Sequence, residues 1–295
     1  MSMDASQNMQ LVTVATESFV PGACVMFASF LRFHPDFQGQ LITITDGLTN
    51  TAEAALRSVS PRIRIVPAGQ DLVERIARLS DAIPGLSETS GRFLSLEVLR
   101  PSGAERVLFC DSDTLFLGPI GSMFDIKSDV IATGDGCFLR GQARDAVTLA
   151  EVERGPGRLN HTFNAGVMLF GQPSLTGDDF SRALTELSEL RFNKLECGLH
   201  DQAIYNLVFA DRVRHVDWSH NYLLKHRMLI ERREPVVPRD IRVLHFNQRT
   251  KPWNLSAEQI ALFRDPFFRW ATMQWRSAAE RVGTDAVRTG VPDPS

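Results

Sequence analysis

Short apolar runs alternate with longer stretches of helical period along this chain, and that alternation limits the fold more than any other feature. The strand-like runs are LVTVA (11–15), LITIT (41–45), RIRIV (62–66), RVLFC (106–110), DVIAT (129–133), AGVMLF (165–170), RVRHV (212–216) and IRVLHF (241–246). Helical patterns lie between them at 22–33, 51–58, 71–80, 91–99, 142–153, 179–191 and 201–209. Continuously apolar strands spaced by helices belong in a mostly parallel sheet covered on both faces. The predicted class is therefore α/β. A chain of 295 residues fills one large domain of that class or two small ones. RREPVVPRD (232–240) reads as a Pro-containing connection before the last strand.

Beyond Trp253 the pattern turns helical again, through SAEQIALFRDP and PFFRWATMQWRSAAERV. On a helical wheel Phe267, Phe268, Ala271, Trp275, Ala278 and Val282 share one face, opposite Arg269, Arg276 and Glu280. That face is expected to dock on the body of the protein. A peripheral contact with a membrane surface is the alternative for the same residues.

The formal charge of -3 provides no global field that would recruit nucleic acid or anionic lipid. Cys24, Cys110, Cys137 and Cys197 form no CxxC pair, so neither a disulfide framework nor a thiolate zinc site is expected. MSMDASQNMQ lacks the basic flank and apolar stretch of a signal peptide, and no window approaches the ~20 apolar residues of a membrane span. A cytoplasmic, reducing setting is the expectation, with the inner face of a membrane as a peripheral variant.

RVLFC runs directly into Asp111-Ser112-Asp113. Ligands of parallel α/β sheets bind beyond the carboxyl ends of the strands. Side chains at i and i+2 of extended backbone point the same way, so Asp111 and Asp113 can converge on one hard cation. Such a cation can bridge the two phosphates of a nucleotide diphosphate. The triplet alone is weak, since roughly one D-x-D arises by chance in a chain this long. Phosphatases of the haloacid dehalogenase type also place alternate aspartates after a strand. They want Thr or Val where this chain has Leu115, and Asp178-Asp179 reads as the N-cap and first turn of a helix instead of their downstream acidic pair.

Five ordered segments resemble glycosyltransferase family 8, which includes glycogenin and bacterial lipopolysaccharide galactosyl- and glucosyltransferases. They are GRFLSLEVLRP (91–101), VLFCDSDTLFLGPI (107–120), FNAGVMLF (163–170), HDQAIYN (200–206) and VLHFNQRTKPW (243–253). The resemblance runs from about residue 11 to about residue 253. It implies the GT-A fold, a Rossmann-like domain with a mostly parallel central sheet flanked by helices. It also implies a UDP-sugar donor, Mn²⁺ (with Mg²⁺ as the alternative) and transfer with retention at the anomeric carbon. The expected organisation is a flexible N-terminus (1–10), a GT-A catalytic domain (11–255), a C-terminal helical segment (256–282) and a disordered tail (283–295).

Carried over position by position, the resemblance makes Asp111, Asp113 and His245 the metal ligands, with Ser112 in the donor set. Two carboxylates and an imidazole suit Mn²⁺ better than Mg²⁺, which favours all-oxygen shells. Lys251, six residues past His245, would place an ammonium on the departing diphosphate. Arg92, Asn164 and Ala165 fall in the donor set, and Asp201 and Gln202 flank the transferred sugar, Gln202 facing the anomeric carbon. Asp135 is a candidate for the sugar or acceptor pocket. Ala15, Thr16 and Phe19 would lie near the nucleoside, with Phe19 in place of a stacking Tyr and Glu17 where many members have Asp or Asn. Gln248 stands where members often have Gly beside the phosphates.

The expected activity is transfer of a hexose, glucose or galactose, to a carbohydrate, glycolipid or other hydroxyl acceptor. The alternatives are the phosphatase already weighed and a catalytically silent nucleotide-sugar-binding protein. Tyr205 and Tyr222, the only tyrosines, sit in structured segments, which argues against glycogenin-like self-glycosylation.

Overall fold

A computed structural model describes residues 8–83, 85–140, 162–187, 200–209 and 211–283. The predicted helix at 142–153, residues 188–191 of the predicted helix at 179–191, and Cys197 lie outside the described residues.

The centre is a seven-stranded sheet in the order β3-β2-β1-β4-β7-β6-β8. Its strands are β1 (Met9–Val14), β2 (Gln40–Thr45), β3 (Ile63–Pro67), β4 (Arg106–Cys110), β6 (Val130–Gly134), β7 (Phe163–Gly171) and β8 (Val213–His215). β1 pairs parallel with β2 and β4, and β2 pairs parallel with β3. β6 pairs parallel with β8, while β7 runs antiparallel to both β4 and β6. β7 alone is therefore reversed among these strands. The consequence is positional: the end of β4 and the beginning of β7 share one edge, with Cys110 opposite Val167. The end of β6 reaches that edge too, where Gly134 lies opposite Phe163.

The last predicted strand does not join this sheet. β10 (Val243–His245) pairs instead with β5 (Thr114–Phe116), antiparallel, and with β9 (Tyr222–Leu223), parallel. The chain turns tightly at Asp111-Ser112-Asp113, so the strand following the aspartates separates from the main sheet and finds β10 as its partner.

Helices α1 (Val20–Phe33), α2 (Asn50–Val59) and α3 (Gln70–Ala82) connect the first strands, and the helix His200–Phe209 packs beside β7. Pro21 in the first turn of α1 and the Thr49 side chain accepting from Ala52 N start two of them. The predicted helix at 91–99 is a 3-10 run over Ser87–Leu99 whose Phe93, Leu94 and Leu96 are buried. Asp178 and Asp179 occupy the first turn of the helix Asp178–Glu186, but its N-cap is Gly177, in a left-handed conformation at φ +100°. Asp179 pairs with Arg182 and Arg212. Because β7 leads into this helix from the edge opposite Asp111, these acids cannot serve the site that the phosphatase reading requires.

The C-terminal helix Pro266–Arg281 docks on the body as expected, capped by Asp265, with Ala271, Thr272, Trp275, Ala278 and Ala279 buried. Ala271, Trp275, Ala278 and Ala279 join Val25 of α1 and Leu115, Leu223 and Leu244 of the small sheet in one apolar cluster. The face that a membrane would need is thus largely occupied by protein. No helix among the described residues is long and apolar enough to cross a membrane. The Trp275 indole N–H has no hydrogen-bond partner among the described residues. Trp275→Ala is therefore expected to lower unfolding free energy in urea by about 3–5 kcal/mol. Trp275→Phe, which also removes the unpaired N–H, should stay within about 1.5 kcal/mol.

Candidate functional site

The aspartates and the histidine meet because β5 and β10 pair. His245 lies opposite Thr114, and Phe246 N donates to the Asp113 carbonyl at 2.9 Å. Thr114 N and Oγ1 both donate to the Asp111 carbonyl, at 3.1 and 2.8 Å, and fix the turn. Asp111 N is held from the other side by the Gly166 carbonyl at 2.8 Å. The result brings His245 Nε2 to 3.2 Å from Asp113 Oδ1 and 3.5 Å from Asp111 Oδ2. One ligand atom from each of Asp111, Asp113 and His245 lies within 4.8 Å of the others.

This cluster fits a divalent cation on two structural grounds. Among the described residues Asp113 Oδ1 is buried without a hydrogen-bond partner although the imidazole nitrogen faces it. A buried carboxylate oxygen in that condition is costly unless a cation completes it. Gly166 also leaves the group its room: a Cβ there would come within 2.1 Å of His245 Cε1 and 2.9 Å of Asp111 Oδ2. The glycine of FNAGVMLF is thus a steric requirement of the site.

The second oxygen of Asp113 receives Lys251 Nζ at 2.6 Å, and the same ammonium donates to the Phe246 carbonyl at 2.8 Å. Burial opposes charging of Asp113, but His245 and Lys251 outweigh it and hold its carboxyl far below the usual carboxylate range. Asp111 shifts the other way, pushed up by burial and by the Asp113 charge. The two carboxylates are thus differentiated by what faces each of them.

Asp201 and Gln202 open the helix His200–Phe209. Ser95 Oγ donates to Asp201 Oδ2 at 2.9 Å, and burial pushes the Asp201 carboxyl up to about 6. Arg92 is exposed, and its charge favours ionisation of both Asp111 and Asp201. Gln202 donates to Asp135 Oδ2 at 3.0 Å and accepts from Asn164 Nδ2 at 2.9 Å and Ala165 N at 3.4 Å. Asp135 is buried and also accepts from Thr162 Oγ1 and Phe138 N. Asn221 was not among the expected residues, yet it is fully buried at the centre of this network, bonded to both Asn164 and His245. Its neighbours WSH and YLL offer no motif that would single it out. Ser95 was hidden in the same way, inside an apolar pattern.

Of the residues expected near a nucleoside, Ala15 is buried, and its N–H bonds the Ile44 carbonyl at 3.0 Å. Thr16 lies against Gly91, whose added Cβ would meet the Thr16 methyl at 3.2 Å. Phe19 meets Trp253 edge-on at 5.5 Å between ring centroids and lies 5.8 Å from Lys251 Nζ. Glu17 accepts from Thr49 N and Oγ1, so its carboxylate steadies the start of α2. The backbone of Ser112 packs where a Cβ on Gly22 would lie. Gln248 lines a cleft of about 510 Å³ with Thr250, Leu255, Gln259, Phe263 and Phe268, and its Oε1 accepts no hydrogen bond from the described residues. Tyr205 and Tyr222 are buried, their hydroxyls on the Ser95 carbonyl and Glu231. Cys24 and Cys110 are buried free thiols.

Two outcomes follow from this geometry. Gly166→Ala is expected to lose the divalent-cation uptake of the wild type in a calorimetric titration while far-UV circular dichroism is retained. Asp201→Asn should affect stability with a defined sign. The folded Asp201 holds its proton up to about pH 6 against an ordinary value of 3.8, so its ionisation subtracts stability as pH rises through that window. In metal-free protein the variant is expected to be about 1–3 kcal/mol more stable than wild type at pH 8 and equal to it near pH 3.5. Urea unfolding at the two pH values measures this.

The comparisons with known proteins agree with the motifs. The profile for Glycosyl transferase family 8 matches residues 10–257. The chain is 28% identical over 252 residues to lipopolysaccharide 1,3-galactosyltransferase of Salmonella typhimurium, covering 81% of this chain and 71% of that protein. It is 25% identical over 190 residues to glycosyltransferase GlyF of Streptococcus pneumoniae, where the match spans 64% of this chain and 42% of the relative. For the pneumococcal glycosyltransferase GlyB the match spans only 39% of the relative. Among solved structures, galactosyltransferase LgtC with donor and acceptor sugar analogues superposes with a TM-score of 0.67 at 20% identity, covering 97% of this chain and 98% of that one. Pneumococcal GlyE gives a TM-score of 0.53 at 18% identity, covering 97% and 65%. These likenesses give the GT-A architecture, and the profile match gives the family. With its matched segment spanning both the aspartate turn and the histidine strand, the chain belongs to glycosyl transferase family 8.

Proposed function

We propose that the protein is a metal-dependent, retaining hexosyltransferase that takes its sugar from a UDP-sugar and passes it to a hydroxyl of a carbohydrate or glycolipid acceptor. The observation that carries the reading is the double engagement of Asp113, whose two oxygens face His245 and Lys251. A departing diphosphate requires two adjacent centres of positive charge, and this carboxylate positions both. Asp111, Asp113 and His245 would hold the cation, with Mn²⁺ favoured over Mg²⁺ by the imidazole. A cation held there supplies Lewis-acid neutralisation of the diphosphate.

The protein's own residues do the rest. Lys251 offers its ammonium to the phosphates as the glycosidic bond breaks. Arg92 and Asp201 flank the transferred sugar and orient its hydroxyls. The Gln202 side chain is bonded at both its oxygen and its nitrogen, so it is a poor nucleophile for a covalent intermediate. This supports attack from the leaving-group face: the acceptor oxygen bonds to the anomeric carbon, the carbon–phosphate oxygen bond breaks, and the hydroxyl proton passes to the leaving phosphate. The likeness to a lipopolysaccharide galactosyltransferase supports a galactose or glucose donor and a saccharide acceptor.

The test is UDP release across a panel of UDP-sugars, with and without Mn²⁺, for wild type and Asp113→Ala. Release from one sugar that requires the metal and falls roughly a thousandfold in the variant is expected. UDP-sugar binding that ignores the metal, or no binding at all, would sink the assignment. Metal-dependent binding without turnover in any acceptor mixture would leave the silent binding protein as the correct reading.

A further inference from the structure

The amides of Gln202, Asn164 and Asn221, next to the proposed metal site, form a hydrogen-bond chain with a single direction. Asp135 Oδ2 accepts from Gln202 Nε2 at 3.0 Å, which turns Gln202 Oε1 toward Asn164 Nδ2 at 2.9 Å. Asn164 Oδ1 then faces Asn221 Nδ2 at 2.9 Å, and Asn221 Oδ1 faces His245 Nδ1 at 3.0 Å. An amide can be turned end for end, so each link needs an independent anchor. Two backbone N–H groups, which can only donate, supply them: Gly166 N on Asn164 Oδ1 at 3.0 Å and Ala165 N on Gln202 Oε1 at 3.4 Å. With those oxygens fixed as acceptors, Asn221 must present its NH₂ to Asn164 and its oxygen to His245. Asn221 is 0% exposed, so no water can take the place of either partner. An acceptor on the Nδ1 side makes His245 a donor there, so the neutral, metal-binding form of the ring carries its lone pair on Nε2, toward Asp111 and Asp113.

We propose that Asn221 is a positioning residue that sets the tautomer and ring orientation of His245 for metal binding, at the end of a relay running from Asp135 through Gln202 and Asn164. The residues around the transferred sugar and the metal ligand thereby share one hydrogen-bonded chain. The inference rests on Asp111, Asp113 and His245 forming the metal site. Ligand histidines are commonly oriented through their second nitrogen, and loss of that partner costs about 10–100-fold in metal affinity.

Mn²⁺ uptake followed by electron paramagnetic resonance, in the absence of any donor sugar, tests this. Asn221→Leu, which matches the volume without either hydrogen bond, should bind Mn²⁺ about 10–100-fold more weakly than wild type. Asn221→Asp keeps the acceptor for His245 but loses the donor to Asn164. It should stay within about threefold of wild type in Mn²⁺ affinity while melting at a lower temperature. That separation of affinity from stability is what a merely structural role would not give. ¹⁵N-histidine spectra of the Zn²⁺-loaded wild type, with His245 assigned by its loss in His245→Gln, read the tautomer without altering Asn221. Ligation through Nε2 with a protonated Nδ1 is expected. Unchanged affinity in Asn221→Leu, equal losses in both variants, or ligation through Nδ1 would overturn the inference. A wild type that takes up no Mn²⁺ would overturn the metal-site reading beneath it.

Discussion

A single antiparallel contact, β5 on β10, holds the reactive end of this molecule together. Asp113 and His245 are far apart along the chain, yet Phe246 N on the Asp113 carbonyl closes the distance at 2.9 Å. The placement of both His245 and Lys251 beside Asp113 hangs from that pairing. It sets His245 opposite the turn, and it starts the loop that returns Lys251 to the free side of Asp113. The main sheet contributes the platform, and the reversed β7 brings Asn164 and Gly166 to the same edge as the end of β4. The small sheet contributes the convergence. A strand pairing is well suited to this task, because its register moves in whole residues and a slip of one would turn His245 away.

The site is electrostatically asymmetric before any substrate arrives. Asp113 is strongly acidic because a cation and an imidazole face it, whereas Asp111 and Asp201 are driven toward their neutral forms by burial. Asp111 and Asp201 oppose folding when ionised, and Ser95 and the charge of Arg92 temper that cost, whereas Asp113, held by Lys251, favours the fold in its ionised form. Strain of this kind concentrates where chemistry requires charges to be ready and poorly solvated.

Much of this was legible in the residues. Apolar runs separated by helical periods are enough to give a mostly parallel sheet, and a doublet of alternate acids after one of them marks the edge where Asp111, Asp113 and His245 gather. Ordered segments around Asn164, Asp201, Gln202, His245 and Lys251 completed the list. Other features depend on pairing across long sequence separations, which local patterns do not encode. The departure of β10 from the main sheet is one, since an apolar strand reads the same whichever neighbour it joins. The 3-10 winding of Ser87–Leu99 is another, because its apolar spacing over a short stretch mimics an α-helix. Asn221 was invisible for a chemical reason: a buried asparagine is recognised by its partners, Asn164 and His245, and neither is near it in sequence. Gln248 shows the converse. Position within a motif brought it forward, but its side chain lines a cleft with Phe263 and Phe268 instead of joining the network.

The loop that carries Lys251 ends in Trp253, whose indole N–H donates to the Ser18 carbonyl and whose ring lies between Phe19 and Trp275. Trp275 belongs to the helix Pro266–Arg281, which follows the last residue, 257, of the segment shared with the family. The matched segment and the mechanical unit therefore have different borders: the loop that carries Lys251 is wedged in place by a ring from a helix outside residues 10–257.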